Sequence, residues 1–156
     1  MPNSVPAQLL NAIKGRKFTS VARLFAPNVD FQAWTNLGHW VANDPQTAAR
    51  IIEVWYSPGT GNQVTDSNEI TGARGLAILE LEVTWKAPPD EQPRMLRQVY
   101  LMTVKNDRIV QMRVYCPGLH AEFPDVDLEK QRRQKGLSAA PAKTPAGAKA
   151  VAARSS

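Results

Sequence analysis

Between Gln63 and Cys116 the apolar residues return at every second position, and this alternation restricts the fold more than any other feature of the chain. A period of two places side chains on opposite faces of an extended strand, so a half-apolar alternation predicts a sheet with one covered face. Residues 76–86 show it best. Leu79, Leu81, Val83 and Trp85 share one face, and Ile78, Glu80, Glu82 and Thr84 share the other. Further strands are predicted over residues 64–71, 95–105 and 108–116. Gly72 to Gly75 supplies one turn, "APPDEQP" a loop, and Asn106-Asp107 a tight turn.

Upstream the spacing is helical. A short helix is predicted from Pro6 to Lys14, ended by Gly15, and a second from Phe18 to Phe25. "NDPQTAARIIEVWYSPG" is the clearest local signal. Asp44 can accept from the free N–H groups of a first turn, and Pro45 suits a position that needs no N–H. Ala48, Ile51, Ile52 and Trp55 then form one apolar stripe, with Arg50 and Glu53 off it. "VDFQAW" reads as a short strand, and "TNLGH" after it as a loop. Helices followed by an antiparallel meander predict an α+β fold with the helices packed on one face of the sheet.

Charge divides the chain. The net charge is +5, yet residues 130–156 hold seven Lys or Arg and no acid, while the preceding residues carry 12 basic and 14 acidic side chains. A folded domain is therefore expected over residues 1–128, slightly acidic, followed by a basic, Ala/Pro/Lys-rich disordered tail over 129–156. A specific nucleic-acid reader would carry its basic face on the domain itself, so none is expected. No apolar run reaches the ~20 residues a membrane helix needs. The N-terminus shows no secretory pattern, and the expected compartment is the cytoplasm. One cysteine excludes an internal disulfide. One cysteine and two histidines are poor material for zinc, and "SPGTGN" lacks the spacing and lysine of a phosphate loop, so neither metal nor cofactor is expected.

The phrase Leu24-Phe25-Ala26-Pro27 before a strand, Arg108-Ile109-Val110 opening the last strand, and the element order from about Pro6 to Pro117 resemble the nuclear-transport-factor-2-like superfamily, in its SnoaL-like branch. The resemblance implies a cone: N-terminal helices packed on a strongly curved, mostly antiparallel sheet around an apolar pocket. It also implies dimerisation through the sheet. Such folds include ketosteroid isomerases, polyketide cyclases, scytalone dehydratases and limonene epoxide hydrolases. Their shared logic is a dry pocket in which a few carboxylates, histidines or tyrosines move a proton. Their motifs do not carry over directly. The steroid-isomerase base position falls at Ala33 or Trp34, and Tyr115 is followed by Cys116-Pro117 where the cyclases have an aspartate. Glu80-Leu81-Glu82 with Arg97 and Arg113 has the ingredients of the epoxide-hydrolase relay in another order.

On this reading the chain is a cofactor-independent enzyme that isomerises, dehydrates, cyclises or opens an epoxide on a small apolar ring-containing molecule. The alternative is a non-catalytic binding or dimerisation module. The proton-handling candidates are Asp30, His39, Tyr100 and Tyr115, the two tyrosines sharing a face by their parity. Trp34, Trp40 and Tyr56 are candidate pocket walls. Glu80 and Glu82, on one side of a strand, either share a proton beside a substrate or pair with Arg97 and Arg113 on an outer face. Cys116 with His120 is a nucleophile beside its base, or simply a buried thiol at a strand end.

Overall fold

The computed structural model describes residues 4–85, 94–117 and, as backbone only, 120–121. The expected boundary near residue 128 and the tail beyond it lie outside the described residues. Three helices come first: α1 (Val5–Lys14), α2 (Phe18–Leu24) and, after a hairpin, α3 (Pro45–Tyr56). The hairpin strands are β1 (Phe25–Thr35) and β2 (Gly38–Ala42). Then follow β3 (Asn62–Thr71), β4 (Leu76–Trp85), β5 (Arg94–Lys105), β6 (Arg108–Tyr115) and the two-residue β7 (His120–Ala121).

The sheet runs β2-β1-β6-β5-β4-β3, with β7 added to β5. Every pairing is antiparallel except β1 with β6. Register shifts interrupt β1 between Phe25 and Asp30, β3 between Val64 and Asp66, and β6 at Val110, opposite Thr103 and Val104 of β5. Such irregularities bend strands and increase local twist, which curves the open sheet around the helices.

The expected elements form because local chemistry and burial agree. Thr47 N donates to Asp44 Oδ1 at 2.9 Å, capping α3, and Pro45 opens the helix. The stripe Ala48, Ile51, Ile52 and Trp55 is buried, joined by Ala49 and Tyr56. Asn106 and Asp107 both take left-handed angles, φ 49° and 56°, as a two-residue hairpin turn requires. Gly75 is a position where a side chain cannot fit. Its φ is +78°, and a Cβ would lie 2.1 Å from the Val104 carbonyl oxygen.

One local reading needs correction. "TNLGH" is not a loop: Thr35 pairs with Gly38 across a two-residue turn, and Gly38–Ala42 forms β2. The segment is short and gains its order by pairing with β1, so it carries little alternation of its own. Gly15 ends α1 as expected, as its C-cap. It stays at φ −81°, and Arg16 takes φ 54°. A Cβ on residue 15 would meet the Asn11 carbonyl at 3.1 Å, so glycine stands where the chain is crowded and arginine where it reverses.

Candidate functional site

Parity decides which side chains face the helices. Inward from the central strands point Phe31 and Ala33 of β1, Met112 and Val114 of β6, Tyr100 and Met102 of β5, and Leu79 and Leu81 of β4, all buried. They join the α3 stripe in one continuous core. Burying large side chains such as Phe25, Phe31 and Tyr100 contributes about 2–3 kcal/mol each. The centre expected to be hollow is thus occupied by protein side chains.

Within this apolar face sits one polar cluster. Gln98 is the one buried polar or charged residue outside the hydrophobic and aromatic class among the described residues. Its Oε1 accepts from Tyr100 Oη at 2.7 Å and from Tyr56 Oη, and the two hydroxyls lie 3.4 Å apart. Tyr56 comes from the last turn of α3, and Gln98 and Tyr100 come from alternate positions of β5. Burial pushes the Tyr56 phenol far above the ordinary tyrosine value. Burial does the same to Tyr100, reinforced by the neighbouring Tyr56. Both phenols are therefore neutral donors at physiological pH and not bases. The Trp55 indole N–H, one residue before Tyr56, is a further buried donor, without a partner among the described residues. Beyond the end of α3 a cavity of about 390 Å³ reaches Tyr56 between Ile13, Lys14, Arg16, Asn62, Gln63 and Val64.

Tyr56 and Tyr100, both singled out in the sequence, are thus brought together. Gln98 was missed, although its signal was there: in Leu96-Arg97-Gln98-Val99-Tyr100 it shares the parity of Tyr100. Trp40 also faces inward, half-buried, its ring 6.3 Å from Trp55 and its Nε1 donating to Thr35 Oγ1 at 2.9 Å.

The remaining candidates lie on the other face of the sheet. Tyr115 pairs with Val99 while Tyr100 pairs with Val114, so the expectation that the two tyrosines share a face is overturned. The parallel pairing of β1 with β6 brings Trp34 beside Tyr115, and the hairpin brings His39 to the opposite flank of Trp34. The three rings stack, with centroids 4.9 Å and 5.1 Å apart. Asp30, expected as a base reaching the pocket, is half-exposed on this outer face and paired with Arg113. That hydrogen bond, then the one from Gln111, holds its carboxyl down at about 2. His39 is exposed, with Nε2 3.3 Å from Gln32 Oε1.

Glu80 and Glu82 are likewise outside the core. Glu82 meets Arg97 at 3.3 Å and Glu80 accepts from Asn68 Nδ2 at 3.1 Å, while Arg113 turns to Asp30 instead of either glutamate. Glu69 shares the inward parity of Leu79, but at the exposed edge strand, where Ser4 Oγ donates to it. Cys116 is a buried free thiol at the end of β6, and the His120 side chain lies outside the described residues. Among the described residues no group of His, Cys, Asp or Glu gathers to hold a metal ion. Nor is any of their helices long and apolar enough to cross a membrane.

Both phenols donate to Gln98 Oε1, and either one, turned away from it, can donate a hydrogen bond to another oxygen in a dry setting, as in sites that polarise a carbonyl. The described core offers no carboxylate or imidazole to remove a proton.

No family model matches the chain, and no curated protein matches it. Solved structures do. An LEH-like epoxide hydrolase from M. tuberculosis superposes with a TM-score of 0.51 at 13% identity, over 72% of this chain and 79% of that one. A protein from Sphaerobacter thermophilus gives 0.52 at 20% identity, over 72% and 92%. An NTF2-like protein of unknown function from Cytophaga hutchinsonii gives 0.54 at 13% identity, over 72% and 96%. Other matches carry provisional names as isomerase, ketosteroid isomerase and polyketide cyclase. At these identities the likeness concerns the fold.

Proposed function

We propose that this chain, whose fold is that of the nuclear-transport-factor-2-like superfamily, binds a small, largely apolar ring-bearing molecule through one oxygen of that molecule. The observation that carries the reading is the buried Tyr56–Gln98–Tyr100 cluster, whose Tyr56 also lines the cavity beyond the end of α3. Ile13, Val64 and the Tyr56 ring would meet the apolar part of the ligand, and the phenol donors would set its orientation. To receive a ligand oxygen, one phenol leaves Gln98 Oε1 while the other keeps it satisfied. The unpaired Trp55 N–H is a further donor in need of an acceptor. Binding is favoured over proton abstraction because the buried phenols are acids held neutral.

The test uses 1-tetralone, a bicyclic ketone. Its infrared carbonyl band should shift to lower frequency on binding, and Tyr56→Phe with Tyr100→Phe should abolish that shift. A bound carbonyl band matching that in hexane would overturn the reading. The proton-transfer reading has its own signature: exchange of the ketone's α-protons with deuterated water, lost in Tyr100→Phe.

The outer face supports a second proposal, that the partner is another copy of this chain. Six strands leave this face without a covering layer among the described residues, and it exposes Trp34, Val41 and Tyr115 next to Arg97, Arg113, Glu80 and Glu82. An apolar patch flanked by both charge signs can meet itself across a two-fold axis. Sedimentation should give a dimer, and Trp34→Glu should give a folded monomer. A wild-type monomer at high concentration would defeat it.

A further inference from the structure

The helical side of the domain has another concavity, which shares Arg16 alone with the lining of the cavity at Tyr56. It is a groove of about 620 Å³, within the usual range for small-molecule sites. Its apolar lining is Phe18 of α2, Trp40 of β2, and Ile51 and Val54 of α3. Val54 is 48% exposed, unusual for a valine on a helix whose other large apolar side chains are buried. Phe18 and Trp40 are only partly covered.

Two guanidiniums line the same groove, Arg16 from the α1–α2 corner and Arg50 from α3. The ion pairs present among the described residues belong to Arg97 and Arg113, so neither groove arginine is neutralised there. Glu53 is the one acid in the lining, and Thr19, Gln46 and Thr47 add uncharged polar groups. The position of Arg16 is notable. It occupies a left-handed backbone site, φ 54°, that glycine or asparagine would fill with less strain. Its N–H donates to Ile13 O at 3.0 Å, and Lys17 N to Ala12 O at 2.8 Å, so the corner is held by its own hydrogen bonds. Folding alone would favour a smaller residue here.

We propose that this groove binds an amphipathic monoanion: an apolar chain or ring lying along Phe18, Trp40, Ile51 and Val54, with its carboxylate between Arg16 and Arg50. A guanidinium presents a planar fork that matches a carboxylate, and two cations against one acid make the site selective for sign of charge. The apolar floor accounts for the body of the ligand, and the arginines for its head.

The test compares dodecanoate, dodecan-1-ol and dodecyltrimethylammonium, each below its micellar concentration, with naphthalene-2-carboxylate as the ring arm. Binding is followed by the NMR resonance of the Trp40 indole N–H. At least one carboxylate should bind and move this resonance more than that of Trp34, and the tighter of the two identifies chain or ring. Dodecanoate should bind about tenfold more tightly than the alcohol, the effect of charged hydrogen bonds reduced by exposure. The ammonium should not bind.

Arg16→Gly with Arg50→Gln should remove that tenfold advantage and leave alcohol binding unchanged. The glycine suits the left-handed site, so the fold is retained; Val54→Glu offers a second variant, on the helix surface, that should repel both carboxylates. Equal affinity for alcohol and carboxylate, or full carboxylate affinity in the double variant, would overturn the proposal. Shifts centred on Trp34 would do the same.

Discussion

The two faces of one sheet follow opposite rules. On the inner face a single buried amide, Gln98, stands among large apolar side chains, and its oxygen is shared by two phenols. On the outer face charges, amides and aromatic rings alternate, and water competes for every contact. The same residue types therefore have different consequences. Tyr100 is fully buried with its phenol held neutral, whereas Tyr115, on the adjacent strand, is 44% exposed and stacked on Trp34. What a polar side chain does in this domain depends on which side of the sheet it occupies.

The contrast is most easily broken by truncation. Tyr100→Ala should destabilise the domain by about 4 kcal/mol, through lost packing and an uncollapsed cavity. Tyr115→Ala should cost about 1 kcal/mol or less in a monomer, as an exposed strand residue. Urea unfolding measures both, and equal costs would refute the distinction. Gln98→Leu should cost about 2 kcal/mol, because two buried hydroxyls lose their acceptor. Glu82→Gln, which loses only a surface pair, should stay within about 0.5 kcal/mol.

pH sharpens the comparison, since the faces should fail at opposite ends of the scale. The buried phenols keep their protons above the ordinary tyrosine value of 10.0. Once pH passes that value the unfolded chain releases protons that the folded chain retains, so stability falls as pH rises. Tyr56→Phe should blunt the alkaline loss. Asp30 behaves conversely. Its carboxyl titrates at about 2 in the fold against 3.8 ordinarily, so its contribution is complete above 3.8 and is lost as pH falls toward 2. The pair is half-exposed, so the acid loss should be under about 1 kcal/mol and absent in Asp30→Asn.

The smallest effect concerns Cys116, whose thiol is buried at the end of β6. An aromatic disulfide reagent should label it only as fast as the domain unfolds, and rapid labelling in the folded state would contradict its burial.

Most element bounds were legible because period, caps and turn residues pointed the same way. Asp44-Pro45 marked α3, the alternation of 76–86 marked β4, and Asn106-Asp107 marked the β5–β6 turn. The site was less legible. Alternation separates the two faces of each strand, but a strand such as β1 or β6 places Trp34 and Tyr115, both aromatic, on the side away from the helices. Residue type suggested a pocket wall in Trp34 and a proton handler in Tyr115, while parity against Phe31 and Val114 already indicated the outer face. Gln98 was overlooked for the converse reason, as a polar residue at an inward position.

By itself the sequence determined the order of helices and strands, the apolar stripe of α3 and the inward set of β4, because these depend on spacing along a single segment. Only the tertiary structure decided that Tyr56 meets Gln98 and Tyr100, that Arg113 serves Asp30, and that Arg16 and Arg50 border one groove. Those partners are far apart along the chain or come from separate elements. They meet through a strand order and a parallel β1–β6 register that no local pattern encodes.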